Sequence, residues 1–458
     1  MKFTTVNPAT DETIGEHELM GPEQAMGIVG KAHEAFLRWR SVPLEKKAEL
    51  FRNLAKVMRN GKERYAKLAV MEMGKPLKQA ISEVEKCAVT AEIYADNAAG
   101  WLQEEIVHAD GKKHFVRFEP LGVILSIMPW NFPFWQAFRF GIPTLIAGNV
   151  SILKHSNVVP QCALAIQEIF IQAGFPQHVY STAITNHEVI EKVAASPVVQ
   201  GISLTGSTEA GAKIAALAGK NLKKCVLELG GSDPFIVLED ANIPAAVKNG
   251  VFGRTMNNGQ SCIAAKRFLV HTSIADTFTK EFTAQMGALV VGDPMDIKTD
   301  VGPLVNKQGV EGMEGFVQDA VSHGAEILCG GKRSRGKGYF FEPTALGKVT
   351  SSMKVFKDEV FGPIAPIILF STDKEAIELA NDSEFGLGAS IWTSNLERGK
   401  KMGEQIEAGD VFINSIVKSD ARMPFGGVKK SGIGRELSKY GLREFTNIKG
   451  YNVYDAQL

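Results

Sequence analysis

Apolar positions near the N-terminus recur at three- and four-residue steps. In PEQAMGIVGKAHEAFLRWR they are Ala25, Ile28, Val29, Ala32, Ala35, Phe36 and Trp39, one face of an amphipathic helix. The first hundred residues are predicted to be mostly helical. From residue 121 the pattern changes. Short β-rich runs at 121–128, 149–153, 178–182, 200–204 and 224–229 alternate with helical stretches such as 158–174 and 208–218. That alternation predicts an open α/β sheet with crossover helices. A second series follows Gly230: PFIVL, a helix from 241, KRFLVH, then APIILF and GDVFIN. Two such layers in succession predict two α/β domains. The polar stretch HADGKKHFVRFEP reads as an exposed β arm, with the tail KGYNVYDAQL as a pairing partner.

Composition narrows the function class. At 458 residues the chain is too long for one core. Its 51 basic residues equal its 51 acidic ones, so charge makes no case for nucleic acid or an anionic membrane. LGVILSIM at 121–128 is among the longest apolar runs and is too short to span a bilayer. MKFTTVNPATDE lacks the apolar core of a signal peptide. The cysteines at 87, 162, 225, 262 and 329 are odd in number, scattered and in no CxxC pair. A reduced cytoplasmic protein is expected, with neither a disulfide framework nor a metal site.

Four segments carry candidate chemistry. In NNGQSCIAAKR, Cys262 sits on a turn before a strand, where a thiol can face a cleft; the plainer reading is a small core residue. In LELGGSDPFIVL, Glu228 interrupts a buried strand end. A carboxylate there is either paired or kept for proton chemistry. In MPWNFPFWQAFRF, two prolines flank Asn131, whose amide is placed either to donate to an oxyanion or to cap a helix. Trp135 and Arg139 follow on one helix face, and an Arg in so apolar a segment needs a partner, either a substrate carboxylate or a protein one. In ISLTGSTEAGAKIA, a strand runs through Thr205 into Gly206-Ser207 and a helix, a place where a pyrophosphate can meet free N–H groups. No GxGxxG triplet follows any early strand, and SGIGRE at 431–436 has no strand leading into it.

These segments together resemble the aldehyde dehydrogenase superfamily. PWNFP at 129–133, Lys154, TGST at 205–208, LELGG at 227–231, GQSC at 259–262, EVFGP at 359–363 and PFGGVKKSGIGRE at 424–436 match in order along the whole chain. KHSN, FWQAFR and KKCVLELGGSDPFIVL look most like the succinate-semialdehyde branch, in particular a shorter bacterial group.

The resemblance implies a Rossmann-like cofactor domain of five strands (1–104 and 121–229), an α/β catalytic domain (230–430) and an oligomerisation arm (105–120 and 440–458). It implies a homodimer or homotetramer. Cys262 is then the nucleophile, Asn131 and the Cys262 N–H the oxyanion donors, and Glu228 the base that activates water. The cofactor residues it implies are Met128, Pro129, Trp130, Lys154, Ser156, Asn157, Thr205, Gly206, Ser207, Leu229, Glu359 and Phe361. Glu436 falls at a position associated with a secondary acid/base role. Trp135, Arg139, Ser261 and Ser419 would line the substrate site, with Arg139 as the main anchor of a substrate carboxylate. Family members that prefer NAD commonly carry a Glu three residues after this Lys; here it is Asn157, so NADP is expected to be accepted well, with NAD activity retained. Alternatives are glutarate semialdehyde or a neutral aldehyde as substrate, a dehydrogenase that passes the acyl group to coenzyme A, and a non-catalytic binding protein. Glu228 argues against the coenzyme A enzymes, which resemble this family yet generally lack a Glu there, and intact Cys262, Glu228 and Asn131 argue against the binding protein.

Overall fold

A computed structural model describes residues 1–334 and 336–456. The first eighteen residues form a hairpin, β1 (Lys2–Asn7) and β2 (Glu12–Glu18), that the periodicity does not reveal. Its strands are largely exposed and lack a clean apolar alternation, the signal by which strands are read. Four helices follow: α1 (Pro22–Trp39), α2 (Leu44–Asn60), α3 (Lys62–Met73) and α4 (Leu77–Trp101). On α1, the residues Ala25, Val29, Ala32, Ala35, Phe36 and Trp39 are all buried, as the stripe predicts.

The arm expected from HADGKKHFVRFEP is a three-stranded antiparallel sheet. Its strands are β3 (Glu105–Val107), β4 (Lys113–Pro120) and β20 (Thr446–Val453), with β4 in the centre. The chain end thus pairs with the arm, Thr446 opposite Pro120 through Val453 opposite Lys113.

The first α/β layer contains β5 (Val123–Met128), β6 (Val150–His155), β7 (Tyr180–Thr182), β8 (Val199–Thr205) and β9 (Lys224–Glu228). These five are parallel, and β19 (Gly432–Ile433) adds an antiparallel edge beside β9, in the order β19-β9-β8-β5-β6-β7. The expected five-stranded sheet therefore has a sixth strand, supplied by a segment distant in sequence. The chain builds from β5 to one side through β6 and β7, then crosses to the other side for β8 and β9. Such a reversal leaves a crevice at the carboxyl ends of the strands, where α/β sheets bind ligands. The crossovers include α5 (Pro133–Ile146), α6 (Pro160–Gln172), α7 (His187–Ala195) and α8 (Thr208–Lys220). Every residue of α5 is buried. A helix apolar on all sides belongs inside, and α5 is the central helix of this layer.

The second sheet has seven strands in the order β12-β13-β14-β11-β10-β16-β17. They are β10 (Asp233–Val237), β11 (Ala265–His271), β12 (Glu326–Cys329), β13 (Thr344–Gly347), β14 (Ile364–Phe370), β16 (Gly388–Trp392) and β17 (Asp410–Ile413). A two-residue pair, β15 (Phe385–Gly386) and β18 (Val428–Lys429), stands apart. The helix α9 (Ile243–Thr255) leads from β10 into the turn that carries Cys262. No helix among the described residues is long and apolar enough to cross a membrane.

Candidate active site

The loop between α9 and β11 holds Cys262, and buried amides set its shape. Asn257 and Asn258 both adopt positive φ, 57° and 60°, a conformation that asparagine tolerates better than most residues. Asn257 Nδ2 donates to the carbonyls of Asn131 (2.7 Å) and Gln260 (2.9 Å). Asn258 Nδ2 donates to Gly74 and Pro303, and its Oδ1 accepts from the Gly302 N–H. Gly259, at φ 76°, lies so close to the Gly362 backbone that a Cβ would fall 2.4 Å from the Gly362 carbonyl carbon. Glycine here lets the Cys262 loop pack directly on the loop of Glu359 and Phe361.

Asn131 lies on the same loop system. Its Nδ2 donates to the Gln260 carbonyl at 3.0 Å and its Oδ1 accepts from Gln136 Nε2 at 2.9 Å. The amide is thereby oriented with its N–H₂ toward the Cys262 loop. The Cys262 N–H donates to no acceptor among the described residues. Upstream, Glu83 on α4 accepts from the N–H groups of Phe134 (2.9 Å) and Trp135 (2.8 Å), and Lys75 pairs with Glu83. This carboxylate satisfies the exposed N–H groups at the start of α5, fixing the helix that follows Asn131.

Burial pushes the Cys262 thiol up to about 11, opposed first by Lys266 and then by Arg139. Lys266, at the start of β11, donates to the Cys262 carbonyl (2.6 Å) and to Glu359 Oε1 (3.2 Å). One ammonium group therefore ties the Cys262 backbone to Glu359, which also accepts from the Gly231 N–H at 3.1 Å.

Glu228 ends β9 and is 2% exposed. Neither carboxylate oxygen has a hydrogen-bond partner among the described residues. Burial, then the neighbouring Glu436, holds its pKa well above the usual carboxylate range. Gly426 closes over it: a Cβ there would lie 2.6 Å from Glu228 Oε1, and its φ of 150° also disfavours a side chain.

Arg139 on α5 forms a buried ion pair with Glu436, and its Nη2 donates 3.1 Å to Thr205 Oγ1. It also borders the large chamber beside Cys262. Arg139 was expected as the main anchor of a substrate carboxylate; in the structure it reaches the chamber with its charge already matched by Glu436.

The chamber has a volume of about 680 Å³ and is walled mainly by apolar groups, among them Phe132, Trp135, Ile263 and Phe425. Cys262, Ser261 and Ser419 reach it. Ser261 Oγ is buried without a hydrogen-bond partner among the described residues. Lys86 from α4 also lines it and donates 2.7 Å to Ser419 Oγ.

The residues expected at the cofactor gather at one edge. Met128 ends β5, with Pro129 and Trp130 in the loop beyond it; Lys154 is the penultimate residue of β6, with Ser156 and Asn157 just past the strand; Thr205 ends β8, before Gly206 and Ser207. Leu229 follows β9 and packs beneath Gly211 of α8. Ser207 Oγ caps α8 by accepting from the Ala210 N–H at 3.2 Å. The remaining first-turn N–H groups face out from the helix end, where an anion is favoured. Phe361 stands edge-on to Trp130, ring centroids 5.8 Å apart. Lys154 is buried without a carboxylate partner among the described residues, and burial lowers its pKa. Asn157 Oδ1 is buried without a donor. These unmatched groups fit an adenosine 2′-phosphate and ribose. Among the described residues no three His, Cys, Asp or Glu side chains gather as a metal cluster.

Comparison with known proteins agrees with this geometry. The sequence profile of the aldehyde dehydrogenase family matches residues 1–451. The chain belongs to the aldehyde dehydrogenase family. Among members of the family, it is 45% identical over 449 residues to a probable NADP(+) succinate-semialdehyde dehydrogenase of Synechocystis, covering 98% of this chain and 99% of that one. It is 44% identical over 452 residues to NADP(+) succinate-semialdehyde dehydrogenase 1 of Mycobacterium tuberculosis, with the same coverage. Succinic semialdehyde dehydrogenase of Streptococcus pyogenes, solved with NADP+, superposes at a TM-score of 0.96 with 36% identity, over 99% of this chain and 100% of that one.

The sequence motifs alone did not single out Asn257, Asn258, Gln136, Glu83, Lys266 and Lys86. The Asn-Asn-Gly run carried a signal for left-handed backbone. Lys266 and Arg267 stand together near the start of a strand that continues as Phe-Leu-Val, a pattern that marks buried cations. Lys86, in EVEKCAVTAE, reads as part of a solvated helix face and carried no signal.

Proposed function

We propose that this protein oxidises a short aldehyde with a terminal carboxylate, foremost succinate semialdehyde, to the carboxylic acid, with NADP+ as the preferred acceptor. The observation that carries the reading is one chamber with a thiol, an unpartnered hydroxyl, an amine without a carboxylate partner among the described residues, and apolar walls between them. The names of the relatives support the same substrate and cofactor.

The chemistry follows from the residues. Cys262, as thiolate, adds to the aldehyde carbon. The new oxyanion accepts from Asn131 Nδ2 and the Cys262 N–H, donors already oriented by Gln136 and the Asn257 network. When bound, the nicotinamide supplies an acceptor for the hydride from the thiohemiacetal carbon, which leaves a thioester on Cys262. Glu228, once deprotonated, takes a proton from the water that attacks the thioester, releasing the acid and restoring the thiol. Its unpartnered oxygens suit that task, and the presence of this carboxylate favours hydrolysis over transfer to coenzyme A.

Lys154, Ser156 and Asn157 would hold the adenosine end, Gly206, Ser207 and the start of α8 the pyrophosphate, and Glu359 and Phe361 the nicotinamide ribose and ring. Met128, Pro129, Trp130, Thr205 and Leu229 complete that wall. In this reading the first α/β layer is the cofactor domain, the seven-stranded layer is the catalytic domain, and the β3-β4-β20 arm joins copies of the chain into a dimer or tetramer in the cytoplasm. The test is an aldehyde panel assayed with NADP+ and NAD+, each with and without coenzyme A. Succinate semialdehyde with NADP+ should give the highest kcat/KM, and coenzyme A should change neither rate nor product. A preference for neutral aldehydes overturns the substrate reading.

A further inference from the structure

We propose that Lys86, braced by Ser419 and Trp135, is the group that selects a carboxylate-bearing aldehyde. The inference rests on the substrate class just proposed and names the residue that recognises it.

Three cations near the chamber already have carboxylate partners: Lys75 with Glu83, Lys78 with Asp300 and Arg139 with Glu436. Lys248 and Lys418 also line it but are exposed, where water screens their charge. Lys86 differs from both groups. It is half-buried and has no carboxylate partner among the described residues. Its Nζ donates to Ser419 Oγ at 2.7 Å and lies 4.1 Å from the centroid of the Trp135 ring. The indole face and one hydroxyl give partial compensation for a cation on an apolar wall. Two of the three ammonium protons are left for another acceptor.

Ser419 strengthens the arrangement. Its oxygen accepts from Lys86, so its own proton is available to a second acceptor. An ammonium and a hydroxyl aimed at one chamber make a two-point seat for a carboxylate. The other polar groups facing Lys86 are Glu83 and Cys87 on α4, Arg139 on α5 and Asp420 beside Ser419. Burial, then Arg139, lowers Lys86 to about 8. A bound carboxylate relieves both effects, a gain that an uncharged aldehyde cannot provide.

The experiment compares kcat/KM for succinate semialdehyde and butanal in the wild type, Lys86→Met and Lys86→Arg. The wild type should prefer succinate semialdehyde. Lys86→Met should cut that preference roughly tenfold or more, mainly through KM, and Lys86→Arg should keep most of it. A wild type that prefers succinate semialdehyde together with a Lys86→Met variant that keeps the preference overturns the role of Lys86 and leaves the substrate reading intact. A wild type with no preference overturns the substrate reading and this inference with it. A second arm uses the wild type alone and is independent of how the variants fold. The ratio of the two kcat/KM values should fall as pH rises through about 8, where free Lys86 loses its proton. A ratio that stays constant across that range overturns the proposal.

Discussion

In the interior of the protein the Arg139 guanidinium, from α5, is paired with the carboxylate of Glu436, from the loop that follows β19. The pair stands next to Glu228, whose pKa is raised by burial and by Glu436 and lowered by Arg139. Arg139 thus sets the charge environment of the proposed base as well as bordering the chamber.

Arg139→Ala should therefore act on stability and on every substrate. Removing one partner of a buried ion pair costs about 3–5 kcal/mol, because the other charge stays buried. A fall in Tm is expected, with comparable losses of kcat/KM for succinate semialdehyde and butanal. An unchanged Tm with a loss confined to succinate semialdehyde would return the anchor role to Arg139.

Cys262→Ala should abolish turnover and leave the fold and NADP+ binding in place. No other group on that loop can form the thioester. Stopped activity with retained cofactor-induced thermal stabilisation is the expected pair of results, and more than trace turnover would contradict the mechanism.

Glu228→Gln should separate the two half-reactions. The amide keeps the size and shape of the carboxyl, and acylation does not consume the activated water, so the first reduction of NADP+ should proceed. Water activation should fail, slowing steady turnover by roughly 10²–10⁴-fold. Rapid mixing should then give a burst of NADPH followed by a slow phase. Loss of the burst as well would place Glu228 before hydride transfer.

Cofactor preference should respond to Asn157 and Lys154. A carboxylate in Asn157→Glu would face the 2′-phosphate and pair with Lys154, shifting the kcat/KM ratio toward NAD by roughly 10- to 100-fold. Lys154→Ala should weaken NADP more than NAD, since a buried cation without a partner loses its phosphate contact. A wild-type preference for NAD above about a hundredfold would place the discriminator elsewhere.

The pH dependence should differ between substrates. Burial raises Cys262 to about 11 and raises Glu228 as well, so both gain their reactive anionic form as pH rises. With butanal, kcat/KM should increase from about pH 7 to about pH 9. With succinate semialdehyde the increase should be cut short as Lys86 deprotonates near 8, giving a bell. An acid optimum with butanal would show that the resting thiol is not the species limiting the rate.

The sequence by itself determined the α/β class and most strand and helix positions after residue 121, and it exposed the segments that carry candidate chemistry. Periodicity and residue type are local properties, and runs such as VILSIM or the turn at NNGQSC express them within a few positions. The short hairpin at 2–18 escaped because its exposed strands carry no apolar alternation. Tertiary structure alone decided which charges remain unmatched. Arg139 was recognisable as a cation in an apolar helix, but its partner Glu436 lies hundreds of residues away and meets it only through the added edge strand β19. Lys86 looked solvated on its own helix and acquires Ser419 and Trp135 only when α4, α5 and the loop before Phe425 converge. Recognition of a substrate charge depends on the balance left after all such pairings form, and that balance exists only in the folded chain.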